Sequence, residues 1–191
     1  MARGFSGLTT NHVAAKAGVS VGTLYEWFPG KEALVAALVD RHLDRAEALL
    51  GDRATTLATL AASEPPLAVA RALATAMVEL HEDEPRLHRV LTEEVPHPAS
   101  VRERIRGLED AMTGALATVL GDHAHLRVPD PTLSARMIVV LLEAATHRWA
   151  TGTDGHPIPR SQLIEELAWM ISGYLQTRVG PLASAAGPTT S

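Results

Sequence analysis

The spacing around Gly18 constrains this chain more than any other feature. Val13 and Ala14 precede it by five and four residues, and Leu24 follows it by six. A helix over 10–17, capped by Thr9, would end at Gly18, a residue able to take the left-handed conformation that stops helices. A second helix would start after Ser20, a good N-cap, and end near Trp27, ahead of Phe28-Pro29-Gly30. Ala14 allows the two backbones to approach, Gly18 reverses the chain, and Leu24 fills the angle between them. That combination predicts a helix-turn-helix.

The remainder also reads as helix, with proline and glycine punctuation and no sustained period-two alternation. A third helix is expected over 31–50, with Leu34, Leu38, Val39, Leu43, Ala46 and Leu50 on one apolar stripe. Further helices are expected over about 54–62, 66–82, 86–94, 99–121, 132–151 and 160–177. Entry signals at Pro65-Pro66, Glu84-Pro85, Pro98 and Asp130-Pro131 mark their starts. Residues 151–159 read as a loop. From Gly180 the chain is small and polar, and is expected to be a disordered tail. The fold class is therefore all-α. Aromatic residues occur before residue 30 and after residue 148, with none over 51–148. This unevenness divides the chain into a small N-terminal module over 1–45, a larger helical body over 46–179, and the tail over 180–191.

Composition narrows the chemistry. There is no cysteine, so thiolate metal sites, disulfides and thiol catalysis are excluded. The apolar block 137–142 ends at Glu143, far short of a membrane span. With no leader-like run at the N-terminus, no membrane partner and a cytoplasmic location are expected. A net charge of −5 makes no global electrostatic case for nucleic acid. Any such function must rest on local geometry.

That geometry lies on the second helix. With Leu24 and Phe28 turned inward, the opposite face offers Val21, Gly22, Thr23, Glu26 and Trp27, flanked by Tyr25. A bare first turn can enter the major groove, where Gly22 permits close approach and Thr23 reaches a base methyl or a phosphate. Tyr25 and Trp27 suit the sugar-phosphate walls. Lys31 adds a cation at the start of the next helix. Glu26 would repel phosphate, so it is expected either to accept from a base donor such as the cytosine amino group or, the favoured reading, to face away.

At these residues the stretch "LTTNHVAAKAGVSVGTLYEWFPGKEAL" resembles the DNA-binding signature of the tetracycline-repressor (TetR) family of transcriptional regulators. The resemblance covers about residues 4–45. It implies DNA contacts from Thr9, Thr10, Ser20, Val21, Gly22, Thr23, Tyr25, Trp27 and Lys31. It further implies a homodimer that pairs the helices near 132–151 and 160–177 as a four-helix bundle, reading palindromic double-stranded operator DNA. The expected function is a ligand-responsive regulator, a repressor released by a small-molecule effector whose identity the residues do not reveal. Family members carry a complete helix before the stretch matching "RGFSGLTT", and here only "MAR" stands in its place. The first DNA-binding helix is therefore expected to be missing, through a start assigned too far downstream or a chain that begins at Met1. Val13, Ala17, Leu24 and Phe28 would then lose one wall of their core. The alternative function is a dimeric ligand-binding or interaction module with an incomplete, non-functional DNA-binding part.

The effector pocket is expected among helices over about 66–150, lined by aliphatic residues with Met77, His81, Met112, Met137 and His147. With no aromatic residue over 51–148, an aliphatic or small ligand fits better than a stacked planar one, unless Trp149 or Trp169 reaches inward. Nine histidines raise the question of metal, but His81 and His88, or His123 and His125, come with no third ligand at a recognisable spacing. No metal and no cofactor are expected. The chain has no nucleophile elbow, no phosphate-cradling glycine loop and no HExxH. Glu82-Asp83-Glu84 and Glu93-Glu94 read as solvated helix ends, and no enzyme activity is expected.

Overall fold

The computed structural model describes residues 7, 9–83, 85–90, 99–123, 126, 128–152 and 158–177; among them every regular element is helical. The two short helices α1 (Thr10–Ala17) and α2 (Val21–Trp27) form where the spacing places them. The Thr9 side chain accepts the His12 N–H at 3.2 Å, and the Ser20 hydroxyl oxygen accepts the Thr23 N–H at 3.0 Å. Each cap satisfies a backbone donor that the first helical turn leaves without an intrahelical acceptor. Gly18 turns the chain at φ +72°, and its N–H reaches the Ala14 and Ala15 carbonyls. Ala14 and Leu24 are buried where the helices cross, Val13 and Phe28 are half-buried, and Ala17, expected in the same core, is exposed.

α3 (Lys31–Ser63) differs from its expected form. Instead of stopping at residue 50 and giving way to a separate helix over 54–62, it runs unbroken through Gly51 for 33 residues. A side chain at Gly51 would meet nothing within 4 Å, so the glycine marks no turn or close approach. Buried Val35, Val39, Leu43 and Ala46 before it and Ala61 after it keep the helix in register. Tertiary packing outweighs a propensity cost of about 1 kcal/mol.

The body adds α4 (Pro66–Glu82), α5 (Pro85–Arg89), α6 (Ala99–Asp122), α7 (Pro131–Thr151) and α8 (Arg160–Thr177). The helix expected over 86–94 is thus five residues long where described, with residues 91–98 outside the described set. α7 starts at a cap in which the Asp130 carboxylate accepts the Leu133 N–H at 2.9 Å, and it ends at left-handed Gly152. The loop expected over 151–159 therefore begins one residue later. Most of the loop, and the tail from residue 180, lie outside the described residues.

A main core gathers Ala74, Val78, Leu120, Ile138, Leu142 and Ile171 from α4, α6, α7 and α8. A second, smaller core joins Val35, Val39 and Leu43 of α3 to Val101 of α6. Beside it the Arg104 guanidinium of α6 donates to Asp40, Asp44 and Glu47 along one face of α3. Arg71–Glu165 and Arg160–Glu82 ion pairs, with their closest atoms 2.7 Å and 2.8 Å apart, lash α4 to α8 in antiparallel sense. The half of α3 nearest α2 is therefore anchored to the body.

The apolar wrap of α7 is only half used within the chain. Ala135, Ile138, Val139 and Leu142 are buried, while Leu133, Met137 and Val140 stand exposed at four- and three-residue spacing. On α8, Leu163, Leu167 and Ile171 are buried and Trp169 and Met170 are exposed. No helix among the described residues is long and apolar enough to cross a membrane.

Candidate nucleic-acid interface and effector cavity

α2 presents the face that the sequence predicts. Ser20, Val21, Gly22, Thr23, Tyr25, Glu26 and Trp27 are all exposed, Trp27 at 76%. Leu24 alone on this helix is buried, and it anchors the other face. A Cβ on Gly22 would meet only the Ser20 hydroxyl, at 3.6 Å, so no internal packing demands glycine there. Its effect is to leave the first turn bare. The Ser20 and Thr23 hydroxyls lie 2.8 Å apart and stiffen that turn. The Tyr25 hydroxyl lies 3.2 Å from the Thr10 hydroxyl, which ties α2 to the start of α1. Thr9 is exposed, Thr10 and Lys31 are half-buried, and Lys31 stands in the first turn of α3. Lys16, exposed in the last turn of α1, adds a cation on the same small unit. The nine sequence-predicted contact residues are spread over the starts of α1, α2 and α3 and the length of α2, and Ser20 to Thr23 form the exposed start of α2. Such a start, with N–H groups pointing outward and small side chains around it, suits phosphate and base edges.

A cavity of about 590 Å³ opens between α3, α4, α6 and α7. Leu50, Ala54 and Leu57 of α3 form one wall, Leu73 and Met77 of α4 a second, and Met112, Leu116 and Val119 of α6 a third. Val139 and Leu142 of α7 close it. Among the described residues its charged liners are Glu47 and Arg53, and both are paired: Arg53 with Glu79 at 2.6 Å, Glu47 with Arg104 at 3.2 Å. The volume falls within the range of about 300–1,000 Å³ common to small-molecule sites. Of the residues expected to line an effector pocket, Met77 and Met112 line this cavity. Met137 does not: it is 53% exposed on the outer face of α7. His81 and His147 are not among the liners either. The α3 wall escaped sequence reasoning because a helix broken at Gly51 would not carry it.

His81 and His147 belong instead to a histidine cluster. The His42 Nε2 lies 3.0 Å from the His88 Nδ1, and the His88 Nε2 lies 2.8 Å from the His147 Nδ1. The rings of His81 and His88 meet edge to face with centroids 4.8 Å apart. Burial, reinforced by the three neighbouring imidazoles, pushes the His88 pKa down to about 3. Burial also lowers that of His81, although its hydrogen bond to the Met77 carbonyl works the other way. Sequence spacing could not reveal the cluster, because 46 and 59 residues separate the bonded pairs.

Comparison with known proteins agrees with this layout. Residues 1–38 match the family model of bacterial regulatory proteins of the tetR family, and residues 65–175 match that of the tetracyclin repressor-like C-terminal domain. The DNA-binding part is therefore present in the chain, and the expectation that it is incomplete is corrected. The helix expected to be missing would fall on residues outside the described set. No curated protein matches the sequence. Among solved structures, the fatty acid degradation regulator FadR from Bacillus halodurans superposes with a TM-score of 0.67 at 16% identity, over 92% of this chain and 89% of that one. FadR from Bacillus subtilis in complex with stearoyl-CoA gives a TM-score of 0.58 at 16% identity, over 92% and 91%. FadR from Thermus thermophilus, a TetR-family repressor in complex with lauroyl-CoA, gives 0.55 at 26% identity, over 98% and 93%.

Proposed function

The chain belongs to the TetR family of bacterial regulatory proteins, and from that premise we propose that it is a dimeric repressor released from palindromic operator DNA by an aliphatic effector. The exposed face of α2 carries the reading. Ser20 to Thr23 would enter the major groove, with Tyr25 and Trp27 against its walls and Thr9, Thr10 and Lys31 on flanking phosphates. The division between DNA-binding part and body falls within α3, near residue 45. The effector would occupy the cavity touched by Met77 and Met112. Its aliphatic walls favour an acyl chain, and the complexes of the two FadR proteins with stearoyl-CoA and lauroyl-CoA support an acyl thioester. Dimerisation through α7 and α8 would cover Leu133, Met137, Val140, Trp169 and Met170, which otherwise leave apolar surface in water.

Release requires only that the effector bind one arrangement of the body more tightly than another, and couplings of about 1–3 kcal/mol are usual. The test is a mobility-shift titration with promoter-proximal DNA at several salt concentrations, followed by addition of acyl-CoAs of increasing chain length. Steeply salt-dependent binding, relieved by one window of chain lengths, is the expected result. Ala115 of α6 also lines the cavity, and Ala115→Phe, which narrows it, is expected to retain DNA binding while losing the release. No shift on any promoter fragment would end the regulator reading. Release that is indifferent to Ala115→Phe would move the effector elsewhere.

A further inference from the structure

The histidine cluster is built like a ligand set. His81 comes from the last turn of α4, His88 from α5 and His147 from α7, and one ring nitrogen of each lies within 4.8 Å of the others. We propose that these three imidazoles bind a divalent late first-row transition metal ion, zinc(II) by preference, with His42 on α3 as a positioning residue for His88.

The hydrogen bonds assign the protons. The Thr146 hydroxyl donates to the Leu142 carbonyl at 2.7 Å, so toward His81, 3.1 Å away, it can only accept. The His81 Nδ1 therefore carries the proton, which it shares with the Met77 carbonyl at 2.8 Å. Its Nε2 keeps the lone pair. An N–H donated to a backbone carbonyl on the far side is how metal-ligating histidines are commonly held. His88 can be oriented in the same way, its Nδ1 donating to the His42 Nε2 and its Nε2 turned toward His147. Three neutral imidazoles suit zinc, copper or nickel better than a hard cation such as magnesium or calcium.

Distances allow the ion. Tetrahedral zinc, with Zn–N bonds of about 2.0–2.1 Å, separates its nitrogen ligands by roughly 3.3 Å. That spacing lies between the 2.8 Å of the His88–His147 contact and the 4.8 Å limit of the set. Three ligands leave a fourth position for water or an anion. Core packing alone is a poor account of the cluster, since an aliphatic side chain would fill the same space without stripping water from polar rings. None of these histidines lines the aliphatic cavity, so the metal site is separate from the proposed effector site.

The test uses the full chain, stripped with chelator and titrated with Zn²⁺ by calorimetry and with Co²⁺ by visible absorption. One ion per chain at micromolar affinity or better is expected. His88→Gln and His147→Gln should each weaken binding by about 100-fold or more, and His42→Gln by about 10–100-fold. His12→Gln, in α1, should bind as the parent does. X-ray absorption on the zinc-loaded parent protein needs no variant to fold, and should find three imidazole nitrogens at about 2.0–2.1 Å. Affinity no better than millimolar would overturn the proposal. So would unchanged affinity in folded His88→Gln and His147→Gln, or a zinc environment lacking three imidazoles.

Discussion

Gly18, which ends α1, and Gly22, in the first turn of α2, sit four residues apart and serve opposite needs. At φ +72° Gly18 holds a conformation that costs an ordinary residue about 1–2 kcal/mol, so Gly18→Ala should lower the thermal midpoint. Gly22 is helical with open space around it, so Gly22→Ala should hold or raise the midpoint, by up to about 1 kcal/mol in stability. The same methyl would stand where a groove must approach, and Gly22→Ala should weaken DNA binding about tenfold, or 1.4 kcal/mol. Circular dichroism melts paired with mobility shifts separate the two effects. Gly18 and the caps at Thr9 and Ser20 were legible in the sequence because a cap is satisfied within three residues of itself. The histidines were not, because their meaning comes from helices far apart in the chain. Their chemistry sets an acid limit for the metal-free protein. Folded His88, facing His42, His81 and His147, takes up its proton only near pH 3, whereas the unfolded chain takes it up near 6.5. Between those values the unfolded state binds more protons, so stability falls as pH drops through that window and is complete above it. Urea midpoints measured in chelator should decline from neutral to acid pH, with a shallower slope in His88→Gln.

At the scale of elements, α3 shows where local reasoning fails. A glycine after an apolar stripe is an ordinary stop signal, and nothing nearby says that packing resumes at Ala61. The helix continues because α4 and α6 cover it on both sides of Gly51. Gly51→Ala should therefore stabilise the protein by about 0.5–1 kcal/mol with no change in fold, seen as a raised urea midpoint at constant slope. A fall would mean that the helix bends there in solution. The starts of α4 and α7 were legible from Pro66 and from Asp130-Pro131 because a proline in the first turn gives up no needed hydrogen bond. The two faces of α7 were not, since an apolar wrap does not say which side a neighbour covers. Met137 shows the cost: chosen as a pocket residue for its chemistry, it belongs to the outer surface by its angle around the helix axis.

At the scale of the molecule, the outer faces of α7 and α8 should decide the assembly state. Val140 is 55% exposed, so Val140→Glu should leave the helical content intact yet shift sedimentation from dimer toward monomer. A monomeric parent protein would count against the twofold reading of operator DNA. The continuity of α3 has a mechanical consequence. Thirty-three residues at 1.5 Å each make a rod about 50 Å long, and about 29 Å of it separates Leu50, on the cavity wall, from Lys31 beside α2. If α6, tied to this half of α3 through Arg104 and Val101, turned with it, a pivot of roughly 10° about the cavity end would swing the far tip through about 5 Å, more than the 3.4 Å rise of one base-pair step. In the regulator proposed above, a stiff arm of this length would gear a sub-ångström repacking around a ligand into a misfit that a groove can feel, without any hinge along the way.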